Sequence, residues 1–246
     1  MTAKLSFGHF QQAWDEHAAT LKRLIEQNNV RRICEIGGGA NPLLPLDYVR
    51  SKQLDYTILD VSQEELDKAP AGYSKLLADI CASDLSDLGE FDLVFSKMLA
   101  EHVSDGRVFH RNVRQMLSPQ GLAFHFFPTL FAPPFVVNWL LPETLASALL
   151  SAVAPRDKVQ HAKFPAHYSW CRGPTARQIE RLKNLGLDVV EYRGFFGHSY
   201  YKRIPGLRAL SDAFTRILIK HPLPWLTTFG YLIVRRGGSS SISQTA

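Results

Sequence analysis

Arg31-Arg32-Ile33-Cys34-Glu35-Ile36-Gly37-Gly38-Gly39-Ala40-Asn41-Pro42 is a short apolar run that ends in three glycines and then a proline. It reads as a buried strand breaking into a tight turn, where residues without a Cβ let the backbone take positive φ and let a ligand approach the main chain. A helix starting just past the turn would aim its N–H groups at that ligand. Glu35 sets a carboxylate beside the turn, which repels a pyrophosphate but suits a cationic or hydroxyl-bearing ligand.

Outward from the turn, strand-like and helix-like stretches alternate. On the N-terminal side Phe10, Trp14, Ala18, Leu21 and Ile25 recur at helical spacing up to Asn28-Asn29, an amphipathic helix that covers one side of a sheet. On the other side come a short helical piece over 43–50 and a strand over 54–60 that ends on Asp60. Ser62 and Glu65 have capping-box spacing at the start of the next helix. A short strand follows over 74–78 and a fourth over 91–96. A helix is predicted over 105–117, a turn at Ser118-Pro119-Gln120-Gly121, and a fifth strand over 122–127. A helix over 175–185, stopped by Gly186, a strand over 187–196, a helical stretch within 204–220 and a last strand over 226–235 complete the pattern. Such alternation implies a parallel, doubly wound sheet whose ligands sit at the carboxyl ends of the strands. Asp60, Asp79 and Ser96 would converge there with the glycine turn.

The chain of 246 residues suits a single core, with 46% hydrophobic and 21% charged residues. We expect one domain over 1–236 and a disordered polar tail over 237–246. The net charge of +5 and a pI near 9.1 admit anionic partners without choosing among them. Cys34, Cys81 and Cys171 are odd in number and lack CxxC spacing, which argues for a reducing compartment and against structural zinc. No secretory signal is seen at the N-terminus, so a cytoplasmic setting is expected. The most apolar stretch, around 124–141, is broken by Pro128, Pro133 and Pro134 and does not read as a membrane span.

A dinucleotide fingerprint wants GxGxxG, and Pro42 stands at its last position. With Glu35 before the glycines, Asp60 and Asp79 ending the next two strands, and Arg114-Gln115-Met116-Leu117-Ser118-Pro119-Gln120-Gly121 entering the fifth, the chain resembles the class I S-adenosylmethionine-dependent methyltransferases over about 30–128. The resemblance implies a Rossmann-like, doubly wound sheet of seven strands with helices on both faces, and S-adenosylmethionine as cofactor. It gives Glu35, Gly37, Gly38, Gly39 and Asn41 the loop role, Asp60 with Val61 the ribose role, and Asp79 with Ile80 the adenine role. Ser96, Lys97 and Met98 then match the stretch that runs beside the cofactor. Asp92 is expected to support the loop instead of touching substrate.

No obligatory catalytic residue follows from the family, because in-line methyl transfer gains much from proximity and orientation. An oxygen acceptor of high pKa also needs a base, for which His102 and His167 are the candidates, while His125 reads as a core residue. Tyr168, Trp170 and Arg172 accompany His167 as expected substrate contacts; the alternative is a loop pinned by aromatic packing. From Gln115 to Pro155 the only formal charge is Glu143, and a basic, histidine-rich run follows. We expect a helical lid inserted over about 128–174 after the fifth strand; its composition also suits an amphiphilic acceptor and peripheral contact with the inner face of a membrane, a reading that stands second to the plainer one. That plainer reading is a buried cap helix with a solvated basic flank. The strand four exit reads Ser96-Lys97-Met98-Leu99, not Asn/Asp-Pro-Pro-Tyr, and no basic cluster interleaves with aromatics, so nucleic acid is disfavoured. The function expected is methyl transfer to a small-molecule, glycan or lipid-linked acceptor, with oxygen favoured. A noncatalytic cofactor-binding partner protein and an NAD-dependent oxidoreductase are the alternatives.

Overall fold

A computed structural model describes residues 2–82, 85, 88–130, 165–199 and 205–237. Their strands form one sheet. In chain order they are β1 (Lys4–His9), β2 (Arg32–Ile36), β3 (Asp55–Asp60), β4 (Ser74–Leu77), β5 (Phe91–Lys97), β6 (Leu117–Pro128), β7 (Leu187–Phe196) and β8 (Phe229–Arg236). Across the sheet the order is β1-β7-β8-β6-β5-β2-β3-β4. From β6 to β4 every neighbour is parallel, β8 runs antiparallel between β6 and β7, and β1 lies parallel to β7. The helices are α1 (Phe10–Asp15), α2 (His17–Gln27), α3 (Leu46–Ser51), α4 (Gln63–Lys68), α5 (Gly106–Met116), α6 (Ala176–Asn184) and α7 (Pro205–Lys220).

The central strands are buried on both faces, as parallel strands flanked by helices must be: Ile33, Cys34, Leu93, Val94, Phe95, Phe124 and Phe126 are all inaccessible. Local signals place the helix starts. Ser62, Asp105 and Thr175 each accept backbone N–H groups from the first turn of α4, α5 and α6. At the opposite end of the sheet from the glycine turn, Asp92 accepts the N–H groups of Arg31 and Arg32, both at 2.9 Å. This carboxylate fixes the entry to β2, at the far end from the loop it is expected to support.

Two expectations are corrected. The sheet has eight strands among the described residues, because Lys4–His9 adds an edge strand in register with Glu191–Phe196 of β7. Its Phe7 stacks on Phe196 at 5.7 Å. The predicted N-terminal helix is two helices, separated at Glu16. The predicted turn at 118–121 survives as an irregularity inside β6. Phe91 pairs with Leu117 and Leu93 with Leu122, so the residues between bulge from the ladder. The predicted lid over about 128–174 falls mostly at 131–164, outside the described residues, as does nearly all of the predicted tail. No helix among the described residues is long and apolar enough to cross a membrane.

Three histidines are buried in this core. His17 stacks on Phe124 at 5.1 Å beside Phe126 and Tyr231, and neither of its ring nitrogens has a hydrogen-bond partner. Burial, helped by the Lys97 charge, lowers its pKa to about 3. The folded ring therefore stays neutral where the unfolded one, with an ordinary value of 6.5, takes a proton. Acid thus favours the unfolded state through this group. Denaturant unfolding across a pH series should show His17→Phe gaining on the wild type by about 1.4 kcal/mol for each unit of pH lowered between 6.5 and 3. A constant difference would remove His17 from the acid lability.

Candidate active site

The glycine turn leaves β2 at the centre of the sheet. Gly37 has φ of 75° and Gly39 of 39°, both left-handed. The Gly37 N–H donates to Leu59 O at 2.7 Å and the Asn41 N–H to Gly38 O at 3.0 Å, tying the turn to β3 and to itself. No helix begins at the turn: α3 starts at Leu46, after Pro45. The N–H cradle that a pyrophosphate would need from a helix end is thus displaced from the glycines.

Glu35 lies beneath the turn, 4% exposed. Its carboxyl accepts the Leu43 N–H, at 3.1 Å to Oε2, and the Tyr56 hydroxyl. Burial pushes its pKa up to about 7 in spite of these bonds and the Lys97 charge. A Cβ on Gly38 would sit 2.8 Å from this carboxyl. Glu35 thus holds the turn from below and does not line the cleft above it.

That cleft encloses about 600 Å³ at the carboxyl ends of β2 to β5, within the range of small-molecule sites. Gly37, Gly38, Gly39 and Asn41 form one wall. Asp60 and Val61 enter from the end of β3, and Asp79 and Ile80 follow β4. Each acid is fixed by its own turn: Asp60 Oδ1 accepts the Ser62 N–H at 2.9 Å, and Asp79 Oδ1 the Cys81 N–H at 2.8 Å. Asp60 Oδ2 faces Gly39, 3.0 Å from where a Cβ would stand. Met98 takes φ of 52°, rare for a side chain of its size, as the chain leaves β5. That conformation carries Met98 and Leu99 into the wall.

His102 and His167, far apart in sequence, both line this cleft. The join is made by the Glu101 carbonyl, which accepts the N–H groups of His167 and Tyr168 at 2.7 and 3.0 Å. His102 Nδ1 lies 3.0 Å from the Pro165 carbonyl oxygen, which only accepts. In the neutral ring Nδ1 therefore carries the proton, and Nε2 is the acceptor nitrogen. Glu101 Oε1 is 3.8 Å from that Nε2. Burial pushes the Glu101 carboxyl up to about 8, so it is mainly protonated at neutral pH.

The other expected site residues do not enter the cleft. Ser96 is fully buried and its Oγ pairs with His125 Nδ1 at 2.8 Å. Lys97, on the opposite face of β5, holds Nζ over the Trp14 ring at 5.6 Å. Tyr168 is buried, Trp170 packs against His110 and beneath Arg181, and Arg172 donates to the Tyr168 and Cys171 carbonyls at 2.8 and 3.1 Å. These three pin the returning chain, the alternative reading of the cluster. Sequence reasoning missed Glu65, Leu99, Val103 and Ser104 in the wall. Glu65 had a signal, since the capping-box spacing from Ser62 places it in the first turn of α4, just beyond Asp60. Among the described residues no cluster of His, Cys, Asp or Glu could hold a metal ion.

Residues 34–125 match the family described as a methyltransferase domain. No curated protein sequence matches the chain. Among solved structures the fold is similar to an S-adenosylmethionine-dependent methyltransferase from Clostridium acetobutylicum, 13% identical, covering 91% of this chain and 92% of that one with a TM-score of 0.56. A second, from Archaeoglobus fulgidus, is 14% identical over 90% and 93% of the two chains, with a TM-score of 0.54. Phosphoethanolamine N-methyltransferase 2 from Haemonchus contortus, in complex with S-adenosyl-L-methionine, is 15% identical over 92% of this chain and 53% of its own, with a TM-score of 0.55.

The turn itself can be tested by stability. A Cβ on Gly37 would lie 2.1 Å from Leu99 Cδ1 at a φ that L residues avoid. Gly37→Ala should cost about 1 to 2 kcal/mol in denaturant unfolding. Adding Leu99→Ala should not restore that loss, because the backbone strain remains after the side chain is gone.

Proposed function

We propose that this chain, whose core is a class I S-adenosylmethionine-dependent methyltransferase domain, methylates a hydroxyl group on a small-molecule, glycan or lipid-linked acceptor. The cleft suits the cofactor. Asp60 presents a carboxylate to vicinal hydroxyls, and the glycine turn permits close approach. Asp60, Asp79 and Glu65 make a wall that favours a cationic ligand over a phosphate. When bound, S-adenosylmethionine supplies an electrophilic methyl group on a sulfonium.

The observation that carries the reading is the His102 ring in the same wall, its Nδ1 facing the Pro165 carbonyl at 3.0 Å, which makes Nε2 the acceptor nitrogen of the neutral ring. With a sulfonium methyl donor held in the cleft, Nε2 would take the proton from the acceptor hydroxyl while the methyl–sulfur bond gives way to the methyl–oxygen bond and a neutral thioether is released. His167, tethered at the Glu101 carbonyl, orients the acceptor from the adjoining wall. A nearly uncharged run after β6, followed by basic residues, supports an acceptor with apolar and anionic parts and work at the inner face of a membrane. Three unpaired thiols suit a reducing, cytoplasmic setting.

In calorimetry Asp60→Ala should weaken S-adenosylmethionine binding by about 1.5 to 3 kcal/mol, through loss of charge-assisted hydrogen bonds. Unchanged affinity would take Asp60 out of the site. His102→Gln should keep cofactor affinity but lower kcat on a hydroxyl acceptor by about 10² to 10⁴. Full activity in that variant would sink the general-base role, and cofactor binding without turnover on any hydroxyl acceptor would sink the enzymatic reading.

A further inference from the structure

We propose that the exposed face of α7 is a docking surface for an anionic lipid bilayer. Leu207, Leu210, Phe214 and Ile217 recur at helical spacing on one stripe, and none is covered: Leu210 is 68% exposed, Ile217 58% and Phe214 46%. Just past the helix, Leu223 and Trp225 extend the apolar surface, with Trp225 51% exposed. The adjoining side of the helix is the packed one. Thr215 and Leu218 are buried, and Thr215 lies against Gly197, where a Cβ would come within 3.0 Å of it. A contiguous apolar stripe on an otherwise polar surface marks an interaction site.

Charge selects the occupant. From residue 200 to residue 225 the sequence carries Lys202, Arg203, Arg208, Arg216 and Lys220 against Asp212 alone. Arg208 is paired to Asp212 at 3.6 Å, but Lys220, one turn from Ile217, and Arg216, on the polar side of the helix toward the second cleft, form no ion pair among the described residues. Arg208, Arg216 and His9 also line a second cleft of about 570 Å³ between α7 and the end of β1, with Asp212 in the same wall. An apolar stripe bordered by cations, with an indole at one end, is the pattern of a helix lying in the interface of an anionic membrane. A second protein copy would instead have to bring carboxylates to Arg216 and Lys220 in a chain of net charge +5.

The placement has a use. β7 is antiparallel to β8, and β8 to β6, so the carboxyl end of β7 lies on the same rim as those of β2 to β5. Docking through α7 therefore presents the rim that carries the cofactor cleft to the lipid surface.

Flotation of the full chain with vesicles tests this. Vesicles of phosphatidylcholine with phosphatidylglycerol should carry the protein, phosphatidylcholine alone should not, and salt should reduce the bound fraction. The double variant Leu210→Glu with Phe214→Glu should bind at least tenfold less, with unchanged circular dichroism and unchanged S-adenosylmethionine affinity. A second variant, Arg216→Gln with Lys220→Gln, should lose the preference for anionic vesicles. Absence of flotation by the wild type, or equal flotation by the apolar double variant, overturns the proposal. So does a wild-type dimer in ultracentrifugation that the double variant dissociates, which would assign the stripe to a second copy. Flotation and cofactor binding are read separately, so failure of the methyltransferase reading would leave this result intact.

Discussion

The buried Glu35 carboxyl is the constraint on which the site depends. It stands in the central strand, under a turn that must reverse without side chains, and satisfies itself on the Leu43 N–H and the Tyr56 hydroxyl. Those two bonds tie the segment leading to α3 and the neighbouring strand β3 to the same point. Gly38 has no room for a Cβ because this carboxyl fills the space. The turn is therefore shaped from the sheet side, and its upper surface is open backbone for a ligand. Parallel register then sets the acids around it: Asp60 pairs across to Leu77, so the ends of β3 and β4 arrive together at the cleft.

The opposite wall depends on a contact between distant segments. The chain returning at 165–172 hangs from the Glu101 carbonyl, and the Ser169 hydroxyl accepts the Gly106 N–H at the start of α5. Tyr168 and Trp170 adopt left-handed φ of 51° and 61° there. The strain is held by packing of Trp170 on His110 and by the Arg172 guanidinium across two carbonyls of its own loop. These residues build the wall from behind, which is why they are absent from its surface.

Features encoded within a few residues were legible in the sequence. The glycine turn, the acids at Asp60 and Asp79, the caps at Ser62, Asp105 and Thr175 and the stop at Gly186 all act through neighbours in the chain. Features set by what packs opposite were not. Glu35 read as a ligand contact because nothing local reveals the Tyr56 hydroxyl arriving from β3. Ser96 and Lys97 matched a stretch that runs beside the cofactor, but the pleat sends one into the core and the other toward α1. The edge strand Lys4–His9 has a polar composition and a partner at the far end of the chain, so no local pattern marks it. His102 and His167 were each plausible alone, and only the fold shows that they share a wall.

That edge strand has a consequence for how the chain is made. Residues 4–9 are synthesised well before residues 191–196, yet the two segments pair with each other. The parallel core from β2 to β6 can collapse from contacts of much shorter range. High sequence separation delays pairing, so the amino-terminal strand must wait as an extended, partly apolar segment until β7 has been synthesised and has joined β8. Closure of this edge of the sheet therefore waits on β7, and loss of β7 would leave β1 without its partner strand.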